Sequence, residues 1–565
     1  MSEIKNKKNI IEKSNSSIAY FSMEIALESN IKTYSGGLGV LAGDILRSAA
    51  DLKLPMLGVT LLSKYGYFDQ KINKEGKQEA YPTKDYDFSK LKKLKTITNI
   101  KLGKDNVKIR TWLYEVKSPE GYIVPVYLLD TDVKGNKKEY RGLTDNLYFG
   151  DKDYRLLQDT ILGRGGYAVL KKLGHDIKKF HINEGHGSFV AVAKFLDTKE
   201  KGIKKKIKEV KKACVFTTHT PVKIAHDIFS LEKVLAYQKD FPVNLPGFIK
   251  GKTVNMTEVG LYFSAYINSV SLSHKAVTEK MFPNYQINCV TNGVHSQTWT
   301  APEFQKLYDK YLPNWRKSSL SLRNAFSVPK DEIWIAHQVA KRKLIKLIKE
   351  NTKQKFSEKI FTIGFARRFT TYKRPTLLFN DIERLISIQK RVGEIQIVYS
   401  GKAHPKDDNG KQLLAEVNRI SKSYKGKIKI AFMLGYEMDL AKIIISGVDV
   451  WLNTPLPPNE ASGTSGMKAA HNGVPQLSTF DGWWREGYVK GKTGWTIEGD
   501  KIKTTGTRDE KDAASLYKLL EKDIIPLYYK KPEVWREIMR HTISVNASFF
   551  NTERVLLEYI KNAYI

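Results

Sequence analysis

A single lysine among uncharged neighbours is the most chemically pointed feature of the chain. In Glu460-Ala461-Ser462-Gly463-Thr464-Ser465-Gly466-Met467-Lys468-Ala469-Ala470, small residues open into a helix carrying one cation. Backbone N–H groups at a helix start, made approachable by Gly463 and Gly466, suit a phosphate, and Thr464 and Ser465 add hydroxyl donors. Lys468 then lies within reach of an aldehyde on the same ligand. An amine partly desolvated beside Met467 and Ala469 has a lowered pKa, which favours a Schiff base with pyridoxal phosphate. The rival reading is a plain helix N-terminus with a solvated lysine.

Three more clusters carry chemistry. Arg367, Arg368, Lys373 and Arg374 follow closely on the apolar run Phe361 to Phe365, where solvation alone does not call for four cations. Two adjacent phosphate dianions would demand such charge; a solvated basic turn is the alternative. Gly36-Gly37-Leu38-Gly39 reads as a glycine-rich helix start facing phosphate or sugar. Gly37 to Ala42 also fits the loose Gly-x-Gly-x-x-Ala dinucleotide pattern. However, Leu61-Leu62-Ser63 stands where an acidic residue should meet a ribose. His219 follows the strand-like run Ala213 to Thr218. A metal shared with His181, His186 or His226 has no zinc-helix spacing behind it, and a structural histidine is the commoner outcome.

Such loops need strands to hold them. Val448 to Asn453 reads as a buried strand, Pro455 to Pro458 as a break, and Gly473 as a helix stop, so the lysine loop leaves the carboxyl end of a strand. Before it, strand-like runs (Ile18 to Phe21, Met56 to Leu62, Ile123 to Leu129, Ala213 to Thr218) alternate with helical ones (Ala42 to Leu52, Leu156 to Leu173, Ser188 to Leu196). A second alternating block runs from Phe361 through Ile395 to Tyr399 and Ile428 to Phe432, closing near Gly494. The fold class is α/β, with two doubly wound, Rossmann-like domains. Tyr86 to Glu115 reads as an inserted strand meander, Pro302 to Glu358 as a helical connection, and Pro532 to Ile565 as terminal helices.

At 565 residues the chain is too long for one core, and 41% hydrophobic content with 29 Tyr and 24 Phe excludes a disordered protein. Cys214 and Cys289 read as thiols of a reducing compartment. Met1 to Ser17 is polar and lysine-rich, without the apolar core of a signal peptide, and no run approaches a membrane span; a cytoplasmic protein is expected. The net charge of +34 raises nucleic-acid binding, but the lysines are spread over amphipathic segments such as Lys201 to Lys212, without zinc-finger or RNP-type motifs. A solvated basic surface with no specific nucleic acid and no membrane is the better reading.

Glu460 to Lys468 resembles the Glu-Ala-Ser-Gly-Thr-x-x-Met-Lys motif of the α-glucan (glycogen, starch and maltodextrin) phosphorylases. Tyr34 to Gly39, Ile182 to His186, Thr218 to Pro221, Thr291 to Val294 and Arg367 to Arg374 are similar to further family segments in the family's order. The resemblance, to the short type, implies the two-domain glycosyltransferase architecture with a deep interdomain cleft. It implies an N-terminal domain over 1–295 and a C-terminal domain over 296–535. A C-terminal helix over 536–565 would cross back to the first domain. It also implies pyridoxal 5'-phosphate as cofactor, bound as a Schiff base to Lys468 and lined by Trp299 and Tyr436. Thr464 and Ser465 would contact it, and Arg367 its phosphate.

On the substrate side the resemblance implies that Arg368, Lys373 and the Gly37 loop, with Leu38, hold inorganic phosphate. His219 and Asn292 would bind the sugar's 6-hydroxyl, Glu460, Ser462 and Gly463 its 3- and 4-hydroxyls, and His186 would stand on a neighbouring loop. The expected reaction is retaining phosphorolysis of an α-1,4-glucan to glucose 1-phosphate, with the cofactor phosphate as acid/base group. Departures are Thr370 where many long-type enzymes carry histidine, Ser465-Gly466 for Gly-Asn, and Glu437 for arginine. The chain is shorter than the long type, so nucleotide or phosphorylation control is not implied. A homo-oligomer is compatible with this reading. The rivals are a nucleotide-sugar glucan synthase of the same fold and a non-catalytic glucan- or nucleic-acid-binding protein.

Overall fold

Short apolar runs become the central strands of two sheets, because each is too brief for a helix and is buried on both faces. The computed structural model describes residues 17–83, 86–222, 226–245, 247–502 and 505–565; the lysine-rich start, 1–16, lies outside them. The first sheet holds β1 (Ile18–Ser22), β2 (Met56–Leu61), β3 (Lys92–Leu102), β4 (Asp105–Lys117), β5 (Ile123–Asp130), β6 (Lys179–Asn183), β7 (Cys214–Thr217), β8 (Tyr266–Ser269) and β9 (Asn288–Cys289). Its spatial order is β9-β8-β7-β6-β1-β2-β5-β4-β3. The second holds β10 (Phe361–Ala366), β11 (Ile395–Ser400), β12 (Lys429–Met433), β13 (Val450–Asn453), β14 (Gln476–Thr479) and β15 (Gly494–Ile497), in the order β12-β11-β10-β13-β14-β15.

All pairings in the second sheet are parallel. In each sheet the chain order reverses beside a central strand, between β1 and β6 in the first and between β10 and β13 in the second. Open parallel sheets leave a crevice at that reversal, outside the carboxyl ends of the strands. Residues 86–115 contribute the expected strand meander: β3 and β4, in the connection between the parallel neighbours β2 and β5, pair antiparallel beyond β5 and extend the first sheet. Their alternating polar and apolar residues suit a sheet edge with one wet face.

Helices cover both sheets. α1 (Gly37–Asp51) packs its apolar stripe on β2, β4 and β5, and α2 (Lys152–Thr160) runs through a π turn into Gly166–Lys172. The connection between sheets contains α3 (Lys330–Thr352), whose buried Lys341 reaches Asp449 at 2.6 Å beneath the second sheet. α4 (Ser465–Ala470) carries the lysine, and α5 (Thr552–Tyr559) returns to the first sheet. There Val555, Leu556 and Tyr559 share a core with Ile45 and Leu46 of α1. The Tyr559 hydroxyl lies 3.1 Å from both Thr217 and Asn268, and the Tyr564 hydroxyl 2.7 Å from His181. Tyr559→Phe removes the first of these polar ties and is expected to cost about 1–2 kcal/mol in urea unfolding, with activity retained.

Cys214 and Cys289 are free thiols, and burial pushes that of Cys214 up to about 12. Among the described residues no helix is long and apolar enough to cross a membrane.

Candidate active site

The reversal point of the second sheet gathers the basic residues. Arg367 leaves β10, its N–H bonding to Ser400 at the end of β11, and the chain then turns through Thr371–Lys373. Glu460 arrives on the loop that leaves β13, its backbone N–H held by Asp481 at 2.9 Å. Arg367 Nη2 meets Glu460 Oε2 at 2.5 Å, and Lys373 Nζ meets the same oxygen. Glu460 is 8% exposed. Burial raises its carboxyl, but Arg367 and Lys373 outweigh that and hold it at about 2.

This coupling has a definite pH signature. The folded value lies below the ordinary 4.5, so the stabilisation is present above that value and is lost as pH falls towards 2. Chemical unfolding is expected to show wild type losing about 2 kcal/mol more than Glu460→Gln between about pH 5 and about pH 3.

The four cations do not act alike. Arg374 turns away, bonding the carbonyls of Thr454 and Pro455 and pairing with Asp509 and Asp512 at 2.8 Å, so it braces the loop and is no part of an anion site. Arg368 is exposed, beside Tyr372 and Tyr67, with no carboxylate in ion-pair reach among the described residues. Arg367 keeps Nε and Nη1 buried without a partner. A guanidinium half spent on Glu460 and half unspent can take an oxyanion.

Lys468 is buried, with Nζ 3.8 Å over the ring centre of Trp299. Burial lowers its pKa to about 8, with Asp44 opposing, and Asp44 itself accepts the Trp299 indole N–H at 2.7 Å. Tyr436 stands beside Arg367, and burial raises its phenol. α4 has six residues; Ser465 Oγ accepts the Trp451 indole N–H at 3.0 Å, which leaves its own O–H to donate, and Thr464 makes no side-chain cap. A Cβ on Gly466 would collide with Gln476 and Trp483. Gly463 has φ +86°, a turn that glycine allows. The Ser462 hydroxyl is buried and unpartnered.

On the first sheet, α1 begins at Gly37 with Gly36 as an uncapped N-cap. A Cβ on Gly36 or Gly37 would meet nothing within 4 Å, so open space lies before the helix. Helix bonding starts with Val40 N–H to Gly36, leaving the N–H groups of Gly37, Leu38 and Gly39 unused by the helix. His219 bonds Asn183 Oδ1 through Nε2 at 2.7 Å, and burial pulls it down to about 4, so the ring is neutral. Asn292 is buried at the end of the next strands. His186 Nε2 lies 3.3 Å from Asp227. His181, His186 and His219 thus have separate partners, and no three metal-type side chains converge among the described residues.

Contacts bring the two sets of loops together. Ser271 Oγ donates to the Ala461 carbonyl at 2.5 Å, Ser273 to Asp481 at 3.0 Å, and Lys32 reaches Glu437 at 2.6 Å. The segment after β8 therefore neighbours Glu460 to Gly463, and Asn292 N–H bonds that segment at Val270 (3.1 Å); the Gly37 loop neighbours the Tyr436 loop, where Tyr34 Oη meets Met438 N at 3.2 Å. The sequence reading missed Glu24, Asp44, Tyr148 and Asp481. For Glu24 and Asp44 the signal was a lone carboxylate in an apolar run.

The fit to a phosphorylated aldehyde rests on the donor set: one buried amine with no carboxylate in ion-pair reach among the described residues, and two unpartnered guanidinium nitrogens, Nε and Nη1 of Arg367. The model of the carbohydrate phosphorylase family matches residues 243–486. A maltodextrin phosphorylase of Thermococcus litoralis is 38% identical, covering 97% of this chain and 70% of that protein. A glycogen phosphorylase of Aquifex aeolicus is 36% identical over 97% and 86%, and one of Mycobacterium tuberculosis 34% over 97% and 70%. With strands, reversal-point loops and relatives in agreement, this chain belongs to the carbohydrate phosphorylase family.

Proposed function

We propose that the protein is an α-1,4-glucan phosphorylase, transferring the non-reducing-end glucose of glycogen or maltodextrin to inorganic phosphate with retention, giving glucose 1-phosphate. The observation that carries this is the Arg367–Glu460–Lys373 cluster with two unspent guanidinium nitrogens, together with a buried amine. The relatives' names support the same activity.

In this reading residues 1–295 and 296–535 form two domains facing across a cleft, and 536–565 binds back to the first. Lys468 holds pyridoxal phosphate by covalent attachment, with Trp299 and Tyr436 beside it and Arg367, Thr464 and Ser465 towards its phosphate. The cofactor's phosphate supplies the proton-transfer group when bound. The remaining work belongs to the chain. Arg368, Lys373 and the N–H groups of Gly37 and Leu38 bind substrate phosphate and balance its charge as the glycosidic bond breaks. With His219 Nε2–H on Asn183, its Nδ1 keeps a lone pair that can accept a sugar hydroxyl, and Asn292 can donate to the same oxygen. Glu460, Ser462 and Gly463 hold the opposite edge of the sugar, with His186 behind. Two free thiols suit a reducing cytoplasm.

The test is product formation from maltooligosaccharides and glycogen with and without phosphate. Phosphate-dependent release of glucose 1-phosphate is expected. Chain extension from UDP- or ADP-glucose, with no response to phosphate, would favour the synthase.

A further inference from the structure

Tyr148 stands outside every motif above, yet it touches three of the loops that form the site. Its backbone is left-handed, φ +55°, a conformation costly for an aromatic residue and kept where surroundings enforce it. Its hydroxyl donates to Glu24 Oε1 at 3.1 Å. Glu24 Oε2 accepts the N–H of Ser35 at 2.6 Å and of Gly36 at 3.2 Å, so the carboxylate fixes the two peptides that lead into α1. The Tyr148 ring lies 5.7 Å from the His186 ring and 5.1 Å from the Arg155 guanidinium, which pairs with Asp227 at 2.7 Å. From the second sheet, Lys406 Nζ donates to the Gly150 carbonyl at 2.6 Å, and His404 stands beside Tyr148 and Arg368. His404 Nδ1 accepts the Lys406 N–H at 3.0 Å.

The charge arrangement explains why a hydroxyl is needed there. Glu24 is 3% exposed and sits behind the N–H groups that face the open space before α1. An undamped carboxylate at that place would repel a phosphate. Two peptide N–H groups and the Ser35 hydroxyl satisfy Oε2, the phenol alone satisfies Oε1, and the phenol stays protonated, because burial and then Glu24 raise it far above its ordinary value. Removing the O–H leaves a buried acceptor short of a donor, and the carboxylate then draws harder on the loop peptides.

We infer that Tyr148 is a positioning residue for phosphate: through Glu24 it sets the glycine loop, from a segment that Lys406 holds against the Arg368 side of the site. The inference rests on the phosphorolysis reading. It is tested with holoenzyme carrying Tyr148→Phe, which keeps the ring, together with Glu24→Gln and the double variant. Tyr148→Phe is expected to raise the KM for inorganic phosphate about tenfold or more, with the KM for glucan within about twofold and Tm little changed. The double variant should lose less than the product of the single losses. Titration calorimetry with inorganic phosphate should show the same weakening without turnover. An unchanged phosphate KM, a parallel rise in both KM values, or multiplicative losses in the double variant would each overturn the assignment. Absence of phosphate dependence in wild type would instead remove the reading beneath it, and is seen before any variant is made.

Discussion

Lys468→Ala is expected to abolish phosphorolysis, lowering kcat about a thousandfold or more, some 4 kcal/mol of barrier. The purified variant should also lack the absorbance of covalently held pyridoxal phosphate. Lys468→Arg separates charge from bond formation: it keeps a cation near Trp299 and Asp44 but offers no amine, so it should fail equally. The environment sets a further expectation. With its pKa lowered to about 8 by burial, Lys468 is about half neutral near pH 8. Only about a tenth is neutral near pH 7, because protonation is favoured below the pKa. Loading of apo-protein should therefore quicken several-fold between those values, followed by absorbance. Equal loading rates would show that the amine is not the titrating group.

The second large effect contrasts two arginines six residues apart. Arg368→Ala removes an exposed cation with no acid in ion-pair reach among the described residues, so the fold should hold while kcat/KM for phosphate falls about 10²–10³-fold. Arg374→Ala leaves Asp512, which is fully buried, with Arg508 alone among the described residues for charge balance. It should cost about 3–5 kcal/mol in urea unfolding, while the molecules that remain folded bind phosphate normally. If instead Arg374→Ala impaired phosphate binding with stability intact, the division of roles argued from the ion pairs would be wrong.

The family resemblance singles out Arg368, but the residues alone do not tell one arginine from the other. Positive charge after a strand is a local signal, but Asp509 and Asp512 lie more than a hundred residues away. The same limit hid Tyr148 and Glu24, whose meaning lies in a contact across 124 positions. Residues 86–115 were legible as strands but not as a sheet edge, because edge membership depends on a partner strand, whereas β1, β2, β10 and β11 announce themselves as apolar runs. Ligand approach and tight packing both call for glycine, and the packing of Gly466 against Gln476 and Trp483 depends on residues distant in sequence. The lysine loop was legible because strand, break and short helix follow each other directly.

The return of α5 to α1 bears on how the polypeptide is made. Val555, Leu556 and Tyr559 complete a hydrophobic seam whose other wall, Ile45 and Leu46, leaves the ribosome some five hundred residues earlier. Until α5 has been made that seam waits uncovered, exposed to wrong partners. The nascent first sheet therefore needs shielding while the intervening five hundred or so residues are synthesised.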